Sequence, residues 1–283
     1  MYMFPILFSV GSFHLFSFSV FLILAWFIWS FLFWRYLRAL AVAEEPIFDA
    51  MFVTTIVTLI VSRLSFVFTH MALFKENWLR VIALWVQPGL SLYGGIIGAV
   101  IVLIFFAMKY KIRVAHMLDA FVASFMWAYT VGLIGSFLDG SVVGIATHLR
   151  WAVPYVGHMD FRHPVQLYQF VAMVFIIGII SLIRRAAKKH AWRDGTIAMW
   201  FFMLFSASAF AVEFLTEHTV YWGNLSANQW VLVGIFGQSL GAFYVRGGGK
   251  ERLRSLGSAV GRISKKVIGG MYAKFSKRHI ENN

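Results

Sequence analysis

The sequence has no cysteine, which excludes disulfide staples, thiolate metal sites and a cysteine nucleophile of its own. Charge is scarce as well. Only 13% of the 283 residues are Asp, Glu, Lys or Arg, about half the share in soluble domains. Acidic residues are the rarest, 12 against 25 basic ones, and the formal charge is +13. Such a balance raises nucleic acid as a partner. However, the chain shows no phosphate-binding P-loop, zinc spacing or RNA-binding signature, and its basic residues flank apolar runs. The expectation is no nucleic-acid partner. The first apolar run lacks a basic leader and a small-residue cleavage site, so it reads as a retained helix and not a removed signal peptide. No internal repeat and no soluble domain is evident.

What is abundant is apolar surface: 60% of residues are hydrophobic and mean hydropathy is +0.75. Runs long enough to cross ~30 Å of hydrocarbon lie near 14–34, 49–68, 89–108, 117–137, 165–183, 196–215 and 229–245. The fold class predicted is all-α, a polytopic integral membrane protein of about seven transmembrane helices. Of the 25 Lys and Arg, 20 follow runs one, three, five and seven, four lie on the opposite side, and Arg63 lies within run two. The positive-inside rule then puts the C-terminus in the cytoplasm and the N-terminus outside. Two parts are expected: a membrane domain over 1–248 and a basic cytoplasmic tail over 249–283. In the tail Leu253, Leu256, Val260, Ile263 and Val267 form one helical stripe suited to the anionic inner leaflet.

With the sides assigned, the unusual polar residues fall at one level. Arg63 lies near the outer end of run two, and Tyr93, Gly94 and Gly95 open run three. Gly135, Ser136 and Asp139 close run four, while Arg162, His163, Gln166, Tyr168 and Gln169 precede or open run five. Glu213, Glu217 and His218 end run six. Ionisable groups at membrane depth are costly, so they usually face a shared cavity. Taken singly each keeps a structural reading: Arg63 could snorkel, Glu213 could pair with it, and His163 could cap run five. Independent structural needs do not predict that all gather at one end. Gly94 and Gly98 also have the small-xxx-small spacing that brings helices together, and plain packing explains part of that pattern.

Four blocks, GLSLYGGIIGA, GLIGSFLDGSVVGIATHLRWAVP, RHPVQLYQ and AFAVEF, together with the weaker PILFSVGSF, resemble the prolipoprotein diacylglyceryl transferase family over nearly the whole chain. The resemblance implies seven spans, a bacterial cytoplasmic membrane, and a cleft toward the outer leaflet. It also implies transfer of a diacylglyceryl group from phosphatidylglycerol to the lipobox cysteine thiol of a prolipoprotein, releasing glycerol phosphate. The partners implied are phosphatidylglycerol, membrane lipid and a prolipoprotein signal peptide, and the reaction implied requires no metal and no organic cofactor. Arg162, Arg63 and Arg150 are then expected to seat the phosphate, because a guanidinium binds its oxygens bidentately. Tyr93 and His163 stand at the reacting centre, with Glu213 and Asp139 orienting them. Gly94, Gly95, Gly135, Ser136, Gln166 and Tyr168 line the substrate.

The chain also departs from the family pattern. Tyr93 stands where the family has histidine, Leu133 where it has arginine, and Ser136 where it has asparagine. Asp139 also replaces an asparagine, Ser141 replaces an acidic residue, and Gln169 replaces a glutamate. Ala209 and Thr216 occupy arginine positions beside Glu213, and Phe18 a tyrosine position. Two other readings remain open: a non-catalytic relative that binds lipid or signal peptide in the same cleft, and a small-molecule transporter.

Overall fold

A computed structural model describes residues 3–11, 13–84, 86–189, 193–218 and 220–246. Its helices are α1 (Ser17–Ala39), α2 (Glu44–Thr69), α3 (Leu92–Lys109), α4 (Val114–Asp139), α5 (Val165–Lys189), α6 (Thr196–Glu213) and α7 (Ala227–Arg246). They coincide with the seven expected runs. The first six are long and apolar enough to cross a membrane. α7 has the length, with 20 residues, but Asn228, Gln229, Gln238 and its glycines dilute its hydropathy. The protein is a polytopic helical membrane protein. It divides into two compact units, Met1–Ser239 and Leu240–Asn283; in the second, the described residues are the last turns of α7. The expected tail helix over 249–283 lies outside the described residues.

The helix ends follow from local chemistry. α3 starts at Ser91, whose hydroxyl accepts from the Gly94 amide at 3.3 Å, an N-cap. α4 stops at Gly140, which takes a left-handed φ of 69°, a conformation only glycine adopts cheaply. α6 starts at Gly195 and has no side chain of its own to cap it. Asp119, buried on α4, supplies the acceptors: the Gly195 and Ala198 amides each donate to its carboxylate at 2.8 Å. Free amides at a helix start cannot turn to water inside a bilayer, and an anion there also meets the positive end of the helix dipole.

The two ends of the bundle differ. At the basic end, Arg113 and His116 reach Asp194 at 2.6 and 3.0 Å. Phe33, Leu37, Ile47, Met117 and Phe201, all fully buried, fill the core there. Phe121, Phe125 and Tyr129 stack at successive turns of α4, and Phe201 and Phe205 of α6 meet them edge-on at 5.7 to 6.2 Å. This column leads from the apolar core toward the opposite end, where the polar residues gather.

That far end also carries short strands, which two- to five-residue segments do not announce in sequence. β1 (Ile6–Val10) pairs with β2 (Phe13–Phe16), β3 (Val153–Pro154) with β4 (Phe161–Arg162), and β5 (Tyr221–Trp222) with β6 (Leu225–Ser226), all antiparallel. Between them the segment 143–147 bridges on both sides, Gly144 to Thr216 and Ala146 to Arg162.

Gly94, Gly95, Gly98 and Gly135 sit where two helices meet closely. A Cβ on Gly94 would lie 2.2 Å from the Ser65 hydroxyl, one on Gly95 3.3 Å from a Thr58 methyl, and one on Gly98 2.9 Å from the Val61 side chain, so all three pack against α2. At Gly135 it would lie 2.4 Å from Phe21 Cβ on α1, whereas Gly132 has nothing within 4 Å. Gly135→Ala is therefore expected to destabilise by about 1–3 kcal/mol through overpacking. Gly132→Ala, one turn away, should be neutral or stabilising by up to about 1 kcal/mol from helix propensity. Thermal unfolding of the two purified variants checks this; equal melting shifts would refute the close α1–α4 contact.

Candidate active site

The site is built around the last residue of α6. Glu213 is 5% exposed and Tyr93, in the first turn of α3, 4%. The Tyr93 hydroxyl donates to Glu213 Oε1 at 2.8 Å. Asn228, at the start of α7, donates to the same oxygen at 3.3 Å. His218, five residues beyond Glu213, brings Nε2 to 2.5 Å from Glu213 Oε2 as an ion-pair contact without hydrogen-bond alignment. Two helices, a loop and the start of a third thus converge on one carboxylate. Burial works against a charge on His218, but the Glu213 carboxylate outweighs it and raises the imidazole above its ordinary value of 6.5.

The same short segment reaches Arg162. Glu217 forms an ion pair with the Arg162 Nη1. Asp160 takes Nε at 3.0 Å, and the Gly144 carbonyl accepts from Nη1 at 3.1 Å. The side chain is 12% exposed. Asp160 and then Glu217 raise the Arg162 guanidinium further, and the Arg162 hydrogen bond lowers Asp160. The paired segments 143–147, 161–163 and 215–217 fix this placement. Close approach at Gly144 makes it possible: a Cβ there would lie 2.2 Å from the His163 carbonyl oxygen.

Other expected site residues are placed differently. Arg63 is buried but points into backbone, donating to the carbonyls of Arg80, Val81 and Gly89 at 2.7 to 2.8 Å. Its guanidinium also lies 5.2 Å from the Phe74 ring centroid. It therefore pins the loop between α2 and α3, a task that already uses three of its donors and explains its burial without a ligand. His163 belongs to a second cluster, with Nδ1 3.1 Å from the Tyr168 hydroxyl, which accepts from Trp151 Nε1 at 2.8 Å. Gln166, fully buried, accepts from Tyr155 at 2.9 Å and donates to the Val142 and Ser136 carbonyls, which ties the end of α4 to α5. The Ser136 hydroxyl is 3.0 Å from that of Ser141. Burial pushes the Tyr155 phenol up to about 12, so it stays a donor to Gln166. Asp139 ends α4 half-buried, and its carboxylate has no hydrogen-bond or ion-pair partner among the described residues. Arg150 is exposed in a turn.

The sequence reading put His218 and Glu217 at the right level without a role, and it missed Asn228 and Tyr129. Tyr129 donates to Gln169 Oε1 at 3.0 Å, and with Ala209 and Ser208 the two border a cavity of about 10 Å³, room for about one water. A phenol in the middle of an apolar run was the available signal. No group of three or more His, Asp or Glu suited to a metal occurs among the described residues.

Comparison with known proteins gives one consistent result. The family profile described as prolipoprotein diacylglyceryl transferase matches residues 5–245. The phosphatidylglycerol–prolipoprotein diacylglyceryl transferase of Zymomonas mobilis is 28% identical over 240 residues, 78% of this chain and 82% of the relative. The protein of the same name from Bordetella parapertussis is 29% identical over 65% of this chain and 72% of its own length. That of Agrobacterium fabrum is 31% identical over 59% and 60%.

The raised His218 value makes a pH test of the site. A base whose folded value exceeds its unfolded one, about 6.5, contributes stability that is fully present below that pH and is lost as pH rises through the folded value. The wild type should therefore lose stability relative to Glu213→Gln as pH climbs from about 6 to 9. Melting curves of the two proteins that run parallel over that range would rule out the coupling.

Proposed function

The chain belongs to the prolipoprotein diacylglyceryl transferase family, and on that premise we propose that it transfers a diacylglyceryl group from phosphatidylglycerol to the cysteine thiol of a prolipoprotein. The observation that carries the reading is the buried hydrogen bond from Tyr93 to Glu213, with His218 against the second oxygen. A phenol alone is a poor base because its ordinary value is near 10. Placed on a carboxylate, it need never hold a negative charge: Tyr93 takes the thiol proton as it passes its own to Glu213. Tyr93, Glu213 and His218 then gain one proton as a unit, shared between the carboxylate and the imidazole. The thiolate sulfur bonds to the glycerol carbon, the carbon–oxygen bond to phosphate breaks, and its electron pair leaves on the oxygen of glycerol phosphate. The proton afterwards returns to the released phosphate or to water.

Arg162 pairs with Glu217, the residue before His218. In this reading the phosphate displaces Glu217 or Asp160 from the guanidinium, which exchanges one anion for another instead of burying a new charge. The cleft faces the outer leaflet of a bacterial cytoplasmic membrane, where both acyl chains and the signal peptide of the partner are at hand. The charge asymmetry of the loops supports that orientation.

Labelled phosphatidylglycerol and a lipobox peptide, incubated with the purified protein, should yield diacylglyceryl peptide and glycerol phosphate in equal amounts. Tyr93→Phe and Glu213→Gln should each lower the rate by about 10²–10⁴, the usual contribution of proton transfer. The double variant should be little worse, because the two residues act as one unit. His163→Ala should cost far less. One observation favours a second reading, a lipid-binding relative without turnover: two carboxylates already occupy Arg162. Lipid binding with no glycerol phosphate released identifies that case.

A further inference from the structure

At the basic end, remote from Tyr93 and Glu213, α1, α4 and α5 leave an opening of about 490 Å³, within the ~300–1,000 Å³ of pockets for organic ligands. Arg35 and Tyr36 of α1 and Arg184 of α5 line it, together with Leu32, Ala123 and the half-exposed Trp127, which lie further from the helix ends. The Arg184 guanidinium carbon lies 5.3 Å from the Tyr36 ring centroid, so the ring fixes the cation over the opening. Neighbouring cations have partners: Arg38 meets Glu44 at 3.4 Å, and Arg113 meets Asp194 at 2.6 Å. Among the described residues neither Arg35 nor Arg184 has a hydrogen bond or an ion pair. Two guanidiniums without an anionic partner on one cavity leave it suited to an anion.

Depth identifies the class of anion. Arg35 lies four residues before the end of α1 and Arg184 five before the end of α5, which places them about 6–8 Å inside the helix termini. In a helix centred on ~30 Å of hydrocarbon, that depth lies a few ångströms inside the edge, from which the long arginine stems snorkel to the lipid phosphate. Below it the lining turns apolar, and Ala123, lacking bulk, keeps the groove open beside Trp127. A soluble anion has no use for such a floor, whereas a phospholipid fills both parts: phosphate on the guanidinium forks, acyl chain along Leu32 and Ala123. We propose that this groove binds one anionic phospholipid of the leaflet on the basic side, at a site separate from the candidate transfer centre and independent of its chemistry.

A phosphatidic acid carrying a photoreactive acyl chain tests this in nanodiscs of phosphatidylcholine. After irradiation, mass spectrometry should find adducts on α1 and α4 around Leu32 and Ala123–Trp127. Arg35→Gln with Arg184→Gln should reduce them roughly tenfold or more, as loss of two charge-assisted hydrogen bonds requires. Lys109→Gln with Lys111→Gln, which removes the same charge from the same end, should leave them unchanged. Ala123→Phe, which keeps both arginines and fills the groove, should abolish them, and this arm stands even where the arginine variant does not fold. Undiminished adducts in Ala123→Phe or in the arginine variant would overturn the proposal, as would an equal loss in the lysine variant. Complete displacement by millimolar inorganic phosphate would also overturn it, by assigning the opening to a soluble ion.

Discussion

A carboxylate at the end of a membrane helix has to find its donors inside the protein, and Glu213 sets the terms for the far end of the bundle. An uncompensated buried ion costs several kcal/mol, far more than a single helix–helix contact returns. The first turn of α3, the loop after α6 and the start of α7 are each drawn to it, through Tyr93, His218 and Asn228. The apolar half of the bundle is held differently, by the stacked aromatics of α4 and α6 and the fully buried side chains beneath them. The molecule thus joins a densely packed base to a polar head, and the two are continuous through Tyr129.

The helices were legible in the sequence because runs of about 20 apolar residues have one physical outcome in a bilayer. The common level of Tyr93 and Glu213 was legible too, although the partner the sequence offered for Glu213 was Arg63 and the structure joins it to Tyr93. The role of Arg63 was not. Its guanidinium serves backbone carbonyls of Arg80, Val81 and Gly89, and carbonyls leave no mark in a sequence. Gly94, Gly95 and Gly135 were expected to line the substrate; the structure packs each against a neighbouring helix, and the sequence could not separate the two because helix crossing and ligand approach demand the same small residue. His163 lies at the expected level yet hydrogen-bonds toward Tyr168, a direction set by the two-residue strand before it. Asn228 and His218 flank a short hairpin, where no periodicity signals which way a side chain turns.

The departures from the family pattern also acquire a physical logic. The resemblance puts an arginine at position 209 and a glutamate at position 169, and this chain has Ala209 and Gln169. Both border the same small cavity beside Tyr129. A lone charge at either position would be buried there without a partner. Gln169 keeps its acceptor for the Tyr129 hydroxyl without the charge. With neither position charged, no ion is left unpaired beside that cavity.

α6 is gripped by acid groups at both ends, its first amides by Asp119 and its last residue by the network it anchors. A helix held this way acts as a ruler. From Ala198 to Glu213 it measures about 22 Å, and each added or removed residue would turn the far carboxylate by about 100°. A change of length is therefore costly within α6 and cheap in the connections, where an extra residue swings nothing out of register.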